Sequence, residues 1–82
     1  MEEIMRKVLT CFPGYSDNSL RVGDIILVQN VACKCEMSSM QAKVLLNSLC
    51  EDGFLEYKET MEGKVAGYHL TLKGFQLYKK EN

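Results

Sequence analysis

The stretch from residue 38 to residue 53, SSMQAKVLLNSLCEDG, constrains the fold more than any other part of the chain. Ser38 is a favoured helix N-cap residue, and Gln41 stands three residues later, at the partner position of a capping box. Gly53 stands where a left-handed C-cap glycine is typical. The residues that follow it alternate between apolar and polar, as in a half-buried strand. We therefore predict a helix over residues 38–52 that passes directly into a β-hairpin.

Three shorter segments are predicted before this helix. Residues 2–11 carry apolar side chains at helical spacing and end at a Pro-Gly pair, which predicts a first helix. Residues 19–22 predict a short strand. The apolar run over residues 25–28 suits a buried strand on propensity alone, but Asp24 is placed to cap a helix, so we favour a second helix here. Residues 33–37 then form the turn between the second and third helices.

The part of the chain after Gly53 predicts two strands and a last helix. Residues 53–59 form the first strand, residues 60–63 the turn, and residues 64–70 the returning antiparallel strand. Thr71 is placed to cap the last helix. The side chains of this helix that are expected to pack inward are Leu72, Phe75 and either Leu77 or Tyr78.

Length and composition predict one soluble globular domain spanning residues 1–82, with 46% hydrophobic and 26% charged residues. No apolar run approaches the roughly 20 residues that a membrane span requires. The first three residues, Met-Glu-Glu, lack the positive charge of a signal peptide. We expect no membrane partner and a cytoplasmic location, or a nuclear one if the source is eukaryotic.

The four cysteines, Cys11, Cys33, Cys35 and Cys50, are expected to be reduced in such a location. Cys33 and Cys35 are separated by one residue, whereas common zinc sites use two. We interpret the four thiols mainly as small hydrophobic side chains, and a redox or metal role is the alternative. No cofactor and no metal site are predicted.

Catalysis is not predicted. The acidic pairs Glu2–Glu3 and Glu51–Asp52 are adjacent in sequence, so their side chains point in different directions on a helix. His69 is the only histidine, and no phosphate-binding loop or nucleophile motif accompanies it. We expect that the protein is not an enzyme.

Two segments resemble winged helix-turn-helix domains. Residues 46–55, LNSLCEDGFL, look like the junction between a recognition helix and the wing. Residues 67–74, GYHLTLKG, look like the second wing strand running into a threonine-capped helix. The resemblance covers most of residues 20–80. It implies an α+β, mostly α fold, with a three-helix core, a two- or three-stranded wing and a C-terminal helix.

The resemblance further implies a small transcriptional regulator that places its third helix in the major groove of double-stranded DNA. Such domains commonly dimerise, here most simply through the exposed ends of the first and last helices. The candidate DNA contacts are Ser38, Ser39, Gln41, Lys43 and Asn47 on the third helix and Lys64 on the wing.

The outward face of the third helix is nevertheless mixed. A helical wheel places Ala42, Leu45, Leu46 and Leu49 inward. Met40 and Val44 fall on the opposite side, and the formal net charge of −1 is low for a protein that neutralises phosphates. These two side chains either pack beneath the first or second helix or, together with Met61, form an interface for dimerisation or a protein partner. The alternative function is thus a protein-interaction module without DNA binding.

Overall fold

The computed structural model describes residues 2–59 and 67–81, which form four helices and a three-stranded antiparallel sheet. This small, mostly helical α+β fold confirms the predicted class. The predicted turn at residues 60–63 and the first half of the returning strand lie outside the described residues. The elements are α1 (Glu2–Leu9), β1 (Ile25–Ile26), α2 (Val28–Lys34), α3 (Ser39–Glu51), β2 (Leu55–Lys58), β3 (Gly67–Leu70) and α4 (Leu72–Glu81).

Both ends of α3 are built as the sequence predicts. The Ser38 hydroxyl accepts a hydrogen bond from the Gln41 amide at 3.1 Å, and the Gln41 side-chain oxygen accepts one from the Ser38 amide at 3.0 Å. At the other end Gly53 adopts the left-handed region with φ +84°. The amides of Gly53 and Phe54 close back on carbonyls of the last turn, each at 3.0 Å, which is a Schellman motif. The helix therefore ends sharply and delivers the chain to the sheet.

The first strand lies later than predicted. Residues 19–22 do not form a strand, and β1 instead consists of Ile25–Ile26, which pairs with His69 and Tyr68 of β3. Ile26 is completely buried. The apolar run over residues 25–28 is thus divided. Its first two residues pair with the free edge of β3, and only Val28 belongs to α2.

The predicted cap of the second helix is also wrong. The Asp24 carboxylate accepts a hydrogen bond from the Arg21 amide at 3.0 Å and so closes a turn before β1. The second helix begins only after Leu27, whose amide donates to the side-chain oxygen of Asn30 at 2.9 Å. The hydrogen bond at the start of α2 is therefore accepted by Asn30 and not by Asp24.

In the sheet, β3 lies between β1 and β2, with Leu55 opposite Leu70 and Tyr57 opposite Tyr68. Every helix and strand in the described ranges contributes a buried side chain to one common core. The largest fully buried side chains are Met5, Val8, Leu9, Ile26, Val31, Leu46, Leu49 and Leu70.

The last helix starts as predicted, since the Thr71 hydroxyl accepts a hydrogen bond from the Gly74 amide at 3.2 Å. Leu77 and Tyr78 are buried and Phe75 packs against the core, but Leu72 is 60% exposed, contrary to expectation. The buried stripe runs instead through Gly74, where an added Cβ would lie 2.6 Å from the Phe54 carbonyl oxygen. This close approach turns the opposite side of α4, with Leu72, toward solvent.

Within the described ranges, no helix is both long and apolar enough to cross a membrane.

Candidate interaction surface

An open groove of about 880 Å³ runs along the outward side of α3 and reaches α1. We call it the α3 groove. The side chains that line it are Ile4, Met37, Ser38, Met40, Gln41, Val44, Leu45 and Ser48. Most of these are apolar, and none of the described residues in this lining carries a charge. The surface is therefore suited to apolar contact and poorly suited to neutralising phosphates.

The most exposed apolar side chains of the groove belong to α3. Met40 is 78% exposed and Val44 is 61% exposed, so the interpretation that they pack beneath another helix is wrong. The inward side of α3 is filled by Ala42, Leu46 and Leu49, which are completely buried as predicted. Leu45, which the helical wheel also places inward, is half-buried and lines the groove. Because Met40 and Val44 lie on the other side of the helix, they meet solvent and not the core.

Three of the predicted DNA contacts hold the fold together through their side chains. Ser38 and Gln41 form the capping box at the start of α3. The side-chain oxygen of Asn47 accepts a hydrogen bond from the Tyr68 hydroxyl at 2.8 Å, which ties α3 to the central strand. Each of these three would have to retain or exchange an internal hydrogen bond in order to contact DNA.

The other predicted contacts are Ser39, Lys43 and Lys64. Ser39 and Lys43 are exposed on the first two turns of α3. Lys64 lies outside the described residues, and so does Met61, the third residue of the predicted protein interface.

Sequence reasoning missed the contribution of Ile4 and Met37 to this surface. Ile4 belongs to the apolar stripe of α1, yet it is 37% exposed at the rim of the groove. Met37 immediately precedes the cap of α3 and is half-buried. Helical periodicity identifies such side chains as apolar, but only the folded arrangement of α1, α3 and the residue before α3 shows that they reach a shared surface.

The cysteines form a second feature, away from the groove lining. The sulfur of Cys11 lies 3.9 Å from that of Cys35, and the Cys11 thiol also donates to the Lys7 carbonyl at 3.6 Å. Burial, with a smaller contribution from Cys35, raises the pKa of the Cys11 thiol to about 11. Burial also raises the pKa of the half-buried Cys50 thiol, whereas Cys33 is exposed on α2.

The interpretation of the thiols as buried hydrophobic side chains thus fits Cys11 fully, Cys35 and Cys50 in part, and Cys33 not at all. In the described part of the chain, no three His, Cys, Asp or Glu side chains are grouped so that they could hold a metal ion.

No family model matches the chain, and neither a curated protein nor a solved structure matches it. The fold and its surface define a small helix-rich α+β domain that exposes an apolar groove along one helix. The interpretation of its function rests on that surface.

Proposed function

We propose that this chain is a winged-helix domain that binds a protein partner through the α3 groove. The winged-helix assignment is supported by the order of elements, in which three helices and a short strand precede the paired strands β2 and β3 and a final helix. The two family-like segments fall at the junction of α3 with β2 and at the junction of β3 with α4. Binding of a protein is supported by one observation above all, the exposure of Met40 and Val44, two apolar side chains in the lining of the groove.

Several properties favour a protein over DNA at this surface. The described lining is uncharged, and the chain as a whole has a formal net charge of −1. A DNA-reading helix would present side chains that hydrogen-bond with base edges, but here Met40 and Val44 occupy that position. Covering apolar surface of this kind removes it from water and is favourable by roughly 25 cal/mol per Å². The partner that fits best is an amphipathic helix with apolar side chains three and four residues apart.

Site-specific photo-crosslinking in cells of the source organism tests this function. A benzophenone amino acid replaces Val44, and the control carries it at Gln29, which is exposed on α2 and outside the groove lining. We expect an adduct from position 44 that a protease degrades and a nuclease leaves intact, with little adduct from position 29. The adduct should disappear when Met40→Glu is added, and mass spectrometry should identify one partner segment. A nuclease-sensitive adduct, or equal adducts from both positions, would contradict the proposal.

DNA binding is the second candidate, favoured by the exposure of Ser39 and Lys43 near the N-terminus of α3. Amides at the start of a helix, together with such side chains, are suited to contact phosphate. A low-salt titration of labelled duplex DNA, followed by fluorescence anisotropy, tests it. DNA reading predicts saturable binding that weakens with added salt and with Lys43→Glu, whereas the absence of saturable binding would discard it.

A further inference from the structure

We propose that Cys11 and Cys35 are a modification site at which a low-molecular-weight disulfide converts two thiols into one intramolecular disulfide. This bond would join the segment after α1 to the C-terminal end of α2. The proposal is independent of what the α3 groove binds.

The geometry singles out this pair. The two sulfurs are 3.9 Å apart, so they must approach by about 2 Å to reach a disulfide bond length. Cys11 lies just beyond the last residue of α1, and Cys35 is the C-cap residue of α2. Neither residue is in the interior of a helix. The neighbouring residues already connect the same two helix ends, since the Lys34 ammonium donates to the Thr10 carbonyl at 3.1 Å.

The other two cysteines are placed differently. Cys33 is exposed on α2, two positions before Cys35, and side chains two apart on a helix point in different directions. Cys50 belongs to α3 and is half-buried. An oxidant can therefore reach Cys33, but the Cys11 sulfur lies beside Cys35.

The reaction is two successive thiol–disulfide exchanges. The Cys35 thiolate, which is partly exposed, attacks one sulfur of the small disulfide RSSR. The bond between Cys35 and that sulfur forms as the S–S bond of RSSR breaks, and RS⁻ leaves. The Cys11 thiolate then attacks the Cys35 sulfur and expels the second RS⁻. The protons of the two cysteines end on the two leaving groups, so one RSSR is reduced to two RSH while two cysteines are oxidised.

The burial of Cys11 sets the order and the pH dependence of these exchanges. Cys11 is 8% exposed, so it reacts second, after Cys35 has captured the oxidant. Burial is the largest cause of the raised pKa of the Cys11 thiol and does not depend on the Cys35 thiol, so only a small fraction of Cys11 is thiolate near neutral pH. Ring closure from the mixed disulfide should accelerate about tenfold per pH unit as long as this fraction remains small.

Peptide mapping tests the proposal directly. The reduced, folded protein is treated with oxidised glutathione, free thiols are blocked with iodoacetamide, and the chain is digested with trypsin without reduction. Cleavage after Lys7, Arg21, Lys34 and Lys43 places the four cysteines on four separate peptides. We expect one main crosslinked product, joining residues 8–21 to residues 35–43.

Two variants and a denatured sample complete the experiment. Cys33→Ser removes the exposed thiol that lies outside the pair and should leave the yield of the crosslinked product unchanged or raise it. Cys35→Ser should abolish it and leave Cys11 unmodified by glutathione. In denaturant the same oxidant should give less of the Cys11–Cys35 product, because the folded geometry no longer selects the pair.

Three results would overturn the assignment of this site. They are a main crosslink to Cys33 or Cys50, a stable glutathione adduct on Cys35 that never closes even at alkaline pH, and an equal Cys11–Cys35 yield in the denatured chain.

Discussion

At Gly53 one backbone torsion angle decides how α3 passes into the sheet. Its φ of +84° lies in the left-handed region, and the nearest atom that an added Cβ would meet is the Lys73 Cδ at 3.6 Å. Space is therefore not limiting, and the cost of a side chain comes from the backbone. Gly53→Ala should lower the free energy of unfolding by about 1–2 kcal/mol, as measured by urea denaturation. An unchanged midpoint would contradict the importance of this angle.

The thiol of Cys11 gives a prediction about pH. Its pKa is about 11 in the folded protein against an ordinary value of 9.0, so folding favours the protonated form. The resulting contribution to stability is complete below pH 9 and is lost as the pH rises toward 11. Reduced wild-type protein should therefore lose stability over this range more steeply than Cys11→Ala. The check is urea denaturation of both proteins at several alkaline pH values, and parallel losses would show that another group is responsible.

At the scale of elements, one hydrogen bond connects α3 with the central strand. The Tyr68 hydroxyl donates to Asn47 at 2.8 Å, in a partly buried position beside the Tyr57 ring. Tyr68→Phe and Asn47→Ala should each cost about 1 kcal/mol of unfolding free energy. The double variant should cost clearly less than the sum, because both substitutions remove the same bond. Strict additivity in a double-mutant cycle would show that the bond contributes nothing to stability.

The boundaries of the elements show what short-range chemistry can predict. Both ends of α3 follow from residues within a few positions of each other, Ser38 with Gln41 and Gly53 with its helix, and these predictions are confirmed. The position of β1 depends on pairing with β3, more than forty residues later. Such a distant partner cannot be identified from propensity at Ile25–Ile26, which is why the sequence alone favours a helix there.

At the scale of the whole molecule, the arrangement of α1 and α3 leaves a groove uncovered between them. Periodicity in the sequence placed Met40 and Val44 opposite the buried side of α3, but it could not show whether another helix covers them. In the structure Ile4 of α1 reaches only the rim of the groove.

Dimerisation through the exposed ends of α1 and α4 stays a prediction, which sedimentation equilibrium tests. If two copies instead associate through the α3 groove, the protein partner of the groove is a second copy of this chain.

The adjacent residues Lys43 and Val44 separate the two candidate functions most directly. Both are exposed on α3, one basic and one apolar. The measurement is the dissociation constant, by isothermal titration calorimetry, of the purified macromolecule that crosslinks at position 44. We predict that Val44→Glu weakens binding by more than about tenfold, since it brings a charge into an apolar contact, whereas Lys43→Glu changes it by less than about threefold. Strong weakening by Lys43→Glu with little effect of Val44→Glu would contradict a protein-docking groove and favour contact with phosphates.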